Sequence, residues 1–261
     1  MWSYTHPHFT VHQLPALSDN YIYLLDIPEN GILAAIDPAE AAPVEHACNE
    51  FGRRLTHILN THHHWDHVGA NAELKQRYDC IIAGAKTDAS RIPGIDILVE
   101  ENKAFLPETG MRVIAVPGHT SGHIAFLIDD ALFCGDTLFA AGCGRLFEGT
   151  PAQMWQSLGK LARLPGHTRF YCAHEYTLNN LKFALHVDPE NIDLKERLER
   201  DSALRKRGKP TIPGTIGEEL ATNPFLRPLN EDFRRTYAQA HGIGEDPVSV
   251  FTHIRTAKDH W

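Results

Sequence analysis

In Thr61-His62-His63-His64-Trp65-Asp66-His67-Val68, four imidazoles and a carboxylate fall within one short segment. His62 and His64 alternate with His63, so on an extended chain they point to the same side and His63 points away. Asp66 and His67 follow where the chain turns toward the next helix, and a turn lets neighbouring side chains aim at different ions. Neutral imidazole and carboxylate are the ligands that zinc and similar divalent metals accept. A histidine-rich tract can also collect metal adventitiously. The partners further along the chain argue instead for a built site.

Those partners sit at strand ends. They are His119 in Pro117-Gly118-His119-Thr120, Asp136 in Cys134-Gly135-Asp136-Thr137, and His174 in Cys172-Ala173-His174-Glu175. Flanking glycines permit the tight turns that end a strand. Two ions with three His or Asp ligands each need six residues, and a bridging Asp makes seven suffice. His62, His64 and His119 would hold one ion, Asp66, His67 and His174 the other, and Asp136 would bridge. This is the two-metal clamp of hydrolases.

Working outward, Leu55–Asn60 reads as the strand that delivers the histidines, and Gly69–Tyr78 as the helix that follows. Tyr21–Ile27 and Ile32–Ile36 read as paired strands. Pro43–Phe51 reads as a helix stopped by Gly52. Ile81–Ala83, Arg112–Val116, Ile124–Ile128, Leu132–Cys134 and Arg169–Cys172 read as further strands. Thr150-Pro151-Ala152-Gln153 is a capping box with Pro at the first helical position. After His174 the pattern changes to helices only: Leu178–His186, Ile192–Lys206, Gly217–Ala221, Glu231–Ala240 and Pro247–Lys258. The expected division is therefore 1–175, α/β, and 176–261, all-helical.

The bulk properties exclude several classes. The chain has 261 residues, 43% hydrophobic and 22% charged, which suits a soluble globular protein. Its net charge of −8 gives no basic excess for nucleic acid. No apolar run approaches the roughly 20 residues of a membrane helix. The N-terminus lacks a signal-peptide pattern, so the expected location is cytoplasmic. Five widely spaced cysteines without a C-x-x-C argue against a disulfide framework or a four-cysteine zinc site. No obligate protein partner is implied.

The histidine and aspartate segments together resemble the metallo-β-lactamase superfamily. More narrowly, Thr61–His67, Phe133-Cys134-Gly135-Asp136-Thr137-Leu138-Phe139, Gly142-Cys143-Gly144-Arg145-Leu146-Phe147-Glu148-Gly149-Thr150 and His174-Glu175-Tyr176-Thr177 resemble the glyoxalase II (hydroxyacylglutathione hydrolase) family. Asp19-Asn20-Tyr21 is similar too. The resemblance implies an αββα sandwich of two sheets between helices, with a small all-helical C-terminal domain. It implies two divalent metal ions, zinc first, with iron or manganese as alternatives.

The resemblance also implies glutathione contacts. Arg145 and Phe147 match loop positions that are Lys and Tyr in some members; Phe147 lacks the hydroxyl, and Arg145 keeps the charge with a different geometry. Tyr176 matches a tyrosine beside the thiol portion of glutathione. Arg255 and Lys258 match the pair that holds the glycine carboxylate, and their spacing of three independently places them on one helical face. The implied reaction is hydrolysis of S-(2-hydroxyacyl)glutathione, typically S-D-lactoylglutathione, to D-lactate and glutathione in methylglyoxal detoxification. A metal-bound hydroxide would attack, Asp66 would orient it, and Asp136 would bridge the ions. A lactonase on the same scaffold and a non-catalytic metal-binding scaffold are the alternatives. Arg145, Tyr176, Arg255 and Lys258 argue against the first, and the complete ligand set against the second.

Overall fold

The computed structural model describes residues 1–261 as two compact units, Met1–Ala115 with Gly122–Gly135, and Val116–Ser121 with Asp136–Trp261. The first unit is built on a seven-stranded sheet of β1 (Trp2–Thr5), β2 (Thr10–Ala16), β3 (Asn20–Ile27), β4 (Ile32–Ile36), β5 (His57–Leu59), β6 (Ile81–Ala85) and β7 (Ile97–Val99), ordered as in the sequence. Strands β1 to β4 pair antiparallel through tight connections, with Tyr23 opposite Ile36. From β4 to β7 the pairing is parallel. Parallel neighbours need crossovers. Here these are α1 (Ala41–Phe51), the pair α2 (Trp65–Val68) and α3 (Asn71–Tyr78), and, between β6 and β7, a loop with a single 3-10 turn at Lys86–Asp88.

All five residues of β4 are buried, as expected of a strand covered on both faces. Leu14, Ile22, Leu24, Leu33, Val44, Ile58, Leu74 and Ile82 form the core between sheet and helices. Helix α1 stops at Gly52 in a left-handed conformation (φ 62°), as the sequence predicts. The same unit holds an antiparallel ladder of β8 (Arg112–Ala115), β9 (Ile124–Ile128) and β10 (Ala131–Gly135).

The second unit contains the hairpin β11 (Leu138–Phe139) and β12 (Gly142–Cys143), α4 (Pro151–Leu161), β13 (Arg169–Cys172), α5 (Thr177–Val187), α6 (Ile192–Lys206), β14 (Gly214–Thr215), α7 (Ile216–Thr222), α8 (Glu231–His241) and α9 (Pro247–Asp259). Both halves of the predicted capping box of α4 form, and Met154, Leu158 and Leu161 bury one face. Helix α9 starts at Asp246, whose carboxylate accepts the Ser249 N–H, and buries Val250, Phe251, Ile254 and Arg255. The expectation of helices only after His174 needs one correction. Gly214 and Thr215 form a short strand paired with Phe170 and Arg169. A two-residue strand has no hydrophobic period for the sequence to display. No helix is long and apolar enough to cross a membrane. The five cysteines are free and buried.

Candidate functional site

Strand β5 ends at Leu59, and its continuation presents the histidine segment at the carboxyl edge of the parallel strands, where open α/β sheets bind ligands. Asp37, at the matching end of β4, organises that segment. Its Oδ1 accepts the Thr61 N–H at 2.7 Å, and its Oδ2 accepts the Thr61 hydroxyl at 2.7 Å. The same Oδ2 lies 3.0 Å from His67 Nδ1. A carboxylate at Nδ1 fixes the imidazole with its lone pair on Nε2, the usual arrangement behind a metal-ligating histidine. His67 Nε2 then lies 3.6 Å from Asp66 Oδ2. His62 Nδ1 is 3.1 Å from the Thr61 hydroxyl oxygen, which already donates to Asp37, so the ring donates and its lone pair again lies on Nε2.

Asp66 is oriented by Asn20, whose amide donates to Asp66 Oδ2 at 3.1 Å and to its carbonyl at 3.3 Å. The rings of His62 and His64 meet edge to face at 4.6 Å, and those of His62 and His67 lie 4.0 Å apart. His123 stacks on His62 at 4.5 Å. His63 turns away, as the alternation predicts. Its Nδ1 lies 3.1 Å from the buried carboxylate of Asp88, which Arg91 also holds.

In the second unit, the Asp136 carboxylate stands between two imidazoles. His119 Nε2 is 3.4 Å from Oδ2, and His174 Nε2 is 3.5 Å from Oδ1. Both distances exceed an ordinary N–H···O bond of about 2.7–3.2 Å. Two ligand atoms each about 2.0–2.1 Å from one tetrahedral ion lie about 3.3–3.4 Å apart. Each oxygen of Asp136 is thus spaced from its histidine as two donors sharing an ion would be. His119 Nδ1 donates to the Arg145 carbonyl at 2.9 Å, so its lone pair is on Nε2. The donors are all imidazole nitrogens and carboxylate oxygens, a set that fits divalent zinc, iron or manganese.

Beside Asp136 and His119 opens a cleft of about 430 Å³, lined also by Phe139, Cys143, Arg145, Phe147, Tyr176, Asn179, Asn180, Arg255 and Lys258. All five residues that the sequence proposes for substrate contacts therefore line one cavity. Tyr176 stacks flat on His174, with centroids 4.7 Å apart and planes 2° apart. Phe147 is 63% exposed and meets the His119 ring edge to face at 5.2 Å. Arg255 is already engaged, donating to the Cys143 carbonyl at 3.0 Å and to Asp259 Oδ1 at 2.9 Å. Lys258 differs. Its Nζ is buried, lacks a hydrogen-bond partner, and lies 5.0 Å from the centre of the Phe183 ring. Burial, then the guanidiniums of Arg255 and Arg145, lower its pKa to about 8. A buried ammonium without a hydrogen-bond partner gains from pairing with an anion.

Sequence reasoning missed Asp37, Thr61 and Asn179. An Asp after an apolar strand is equally the mark of an ordinary turn. Asn179 lies one turn of chain beyond Tyr176 and shows no periodicity of its own.

Residues 35–174 match the family model described as metallo-beta-lactamase superfamily, and residues 175–261 match that of the hydroxyacylglutathione hydrolase C-terminus. The hydroxyacylglutathione hydrolase of Methylococcus capsulatus is 53% identical over 250 residues, covering 95% of this chain and 96% of its own length. That of Rhodospirillum rubrum is 50% identical over 254 residues, covering 96% and 98%. Among solved structures, ETHE1 from Myxococcus xanthus shares the fold with a TM-score of 0.67 at 24% identity, over 94% of this chain and 89% of its own. TTHA1623, solved in a di-iron-bound form, has a TM-score of 0.60 at 26% identity, over 82% and 98%. The fold is accordingly of the metallo-β-lactamase class with a helical C-terminal region, and its His/Asp groups support divalent metal binding. The chain belongs to the hydroxyacylglutathione hydrolase family of the metallo-β-lactamase superfamily.

Proposed function

We propose that this enzyme hydrolyses S-(2-hydroxyacyl)glutathione thioesters, typically S-D-lactoylglutathione, to a 2-hydroxy acid and glutathione, as in methylglyoxal detoxification. The observation that carries the reading is the buried, unpartnered ammonium of Lys258 in the cleft that Asp136 and His119 also line. It offers a carboxylate site remote from the reacting carbonyl, as the glycine end of glutathione requires. Family membership supports the thioester chemistry.

The ligand assignment belongs to the same proposal. His62, His64 and His119 would hold one ion, Asp66, His67 and His174 the other, and Asp136 would be shared. Zinc is the first choice of metal. Divalent ions bound there would supply an activated water and a Lewis acid for the thioester carbonyl. Asp66, held by Asn20, orients the attacking water. Asp37 keeps His67 in its ligating tautomer. Tyr176, stacked on His174, flanks the sulfur end of the substrate, and Arg145, Arg255 and Lys258 hold its charged tail. The leaving thiolate has a conjugate acid of pKa about 8.5, so departure needs no strong general acid. Residues 1–175 would carry the metal ligands, and 176–261 most of the glutathione contacts. Five free cysteines suit a reducing, cytoplasmic setting.

The test is steady-state kinetics on two substrates, S-D-lactoylglutathione and its analogue with the glycine carboxylate amidated. Replacing Arg255 and Lys258 together by Ala should raise KM for the first about 10- to 100-fold with kcat within a few fold, because the carboxylate is held equally in ground and transition states. The effect should shrink for the amide. An unchanged KM on both substrates removes the glutathione reading and favours a lactonase.

A further inference from the structure

The β11–β12 hairpin begins two residues after Asp136 and turns through Ala140 and Ala141. Its backbone is held by side chains of the helical layer behind it. Glu219, on α7, accepts the Ala141 N–H at 2.8 Å. Asn223, which ends α7, donates to the Phe139 carbonyl at 3.2 Å and the Gly142 carbonyl at 2.9 Å, and to Glu219 Oε2 at 2.8 Å. Asn180, on α5, donates to the Ala140 carbonyl at 3.1 Å. Arg197, on α6, locks Glu219 from behind, with Nη2 2.6 Å from Oε1, while its Nη1 donates to the Thr222 hydroxyl at 2.5 Å. Glu219 and Asn223 are fully buried, and Arg197 is nearly so.

The ladder pairs Phe139 with Gly142 but leaves the Ala140 carbonyl and the Ala141 N–H of the turn to side chains, and a buried group left unsatisfied costs about 1–3 kcal/mol. Ala141 sits at φ 53°, a left-handed conformation that a residue with a Cβ holds only when its surroundings impose it. The hairpin so fixed bears on the substrate cleft at both ends. The Phe139 ring packs against Tyr176 at 5.4 Å and His174 at 5.9 Å. The Cys143 carbonyl accepts Arg255 Nη1 at 3.0 Å.

We propose that Glu219 and Asn223, locked by Arg197, are positioning residues for the substrate cleft: they set the hairpin that aims Tyr176 and Arg255. The inference rests on the thioester-hydrolase reading. None of the three residues lines the cleft, so their effect passes through Phe139 and Cys143.

Two double variants of the metal-loaded enzyme separate positioning from bulk stability. Arg197→Met with Glu219→Gln removes the buried ion pair and keeps an acceptor for the Ala141 N–H. Arg197→Met with Glu219→Leu removes the acceptor as well and keeps the apolar bulk. Arg197 also faces Asp201 and Glu218 at 3.5 Å, and Arg200 still holds both in either variant, so the two variants differ only at residue 219. The Gln pair should keep KM for S-D-lactoylglutathione within about threefold of the parent, whereas the Leu pair should raise it about tenfold with kcat little changed. Amide hydrogen exchange at Ala141 should accelerate only in the Leu pair. Should the Leu pair fail to fold, Asn223→Ala, which leaves the Arg197–Glu219 pair intact, should give the same rise in KM. An active parent with equal KM and equal Ala141 exchange in the two pairs overturns the inference alone. A parent inert toward the thioester overturns the reading beneath it.

Discussion

Replacing Lys258 by Met removes one charge from the cleft while keeping a flexible apolar stem over the Phe183 ring. Its Nζ is buried and has no hydrogen-bond partner, so an anion would find an unused donor there. Hydrogen bonds to charged groups contribute roughly 1.5–3 kcal/mol, which corresponds to about 10- to 100-fold in KM at neutral pH. The pH dependence provides an independent check. The pKa of Lys258 is lowered from 10.5 to about 8 by burial and by Arg255 and Arg145. A lowered lysine pKa means that the charge is present below about pH 8 and lost above it. The protonated fraction falls from about nine-tenths at pH 7 to about one-tenth at pH 9, so kcat/KM for S-D-lactoylglutathione should fall about tenfold over that interval. In Lys258→Met this fall should vanish, because the variant already lacks the charge. Steady-state rates across the interval, with metal content checked at each end, measure both effects. A parental KM in the variant, or the same pH profile in both enzymes, refutes the anion-site argument.

Three further outcomes follow from the geometry. Asp136→Ala should lose metal and nearly all turnover, whereas Tyr176→Phe should keep full metal content; elemental analysis beside the assay compares them, and two ions retained in Asp136→Ala would end the bridging assignment. Asp37→Asn weakens the carboxylate behind His67 Nδ1 and should lower metal affinity about 10- to 100-fold, as such outer partners typically do; titration against a competing chelator measures it, and parental affinity would contradict the tautomer argument. In Gly144→Ala the new Cβ would overlap the Asp136 carbonyl oxygen and lie 3.0 Å from His119 Nδ1, so the variant should lose about 1–3 kcal/mol and bind metal poorly; thermal unfolding at the parental midpoint would show that the approach is not so close.

Much of the architecture was legible because it is periodic or punctuated. Helix α6 has the boundaries that its sequence predicts, set by Asn191 at one end and the Arg205–Lys206 turn at the other. Helix α4 announces itself through the Thr150 capping box. Strands β1 and β2 do not show in the sequence, because β1 is a four-residue edge strand of half-buried and exposed side chains and Pro15 interrupts β2. Strand β5 is shorter than the Leu55–Asn60 that the sequence suggests; beyond it the Asn60 side chain reaches the His67 carbonyl and Thr61 turns to Asp37. In the site, ligand-type residues show in sequence because imidazole and carboxylate cluster in few ways. What holds them does not show. Asp37 and Asn20 reach the segment around Thr61 and Asp66 across strands, and Glu219 reaches Ala141 across 78 positions of chain. No local pattern encodes such contacts. Spacing put Arg255 and Lys258 on one helical face, but only packing reveals that Arg255 is engaged by Cys143 and Asp259 while Lys258 is not.

The most direct test of the account is a side-by-side steady-state measurement of the metal-loaded enzyme on S-D-lactoylglutathione, a simple lactone and a β-lactam. The account predicts efficient turnover of the thioester, with release of D-lactate and free thiol in equal amounts, and little turnover of the other two. Preferred hydrolysis of the lactone, or a fully metal-loaded enzyme inert toward the thioester, would contradict it.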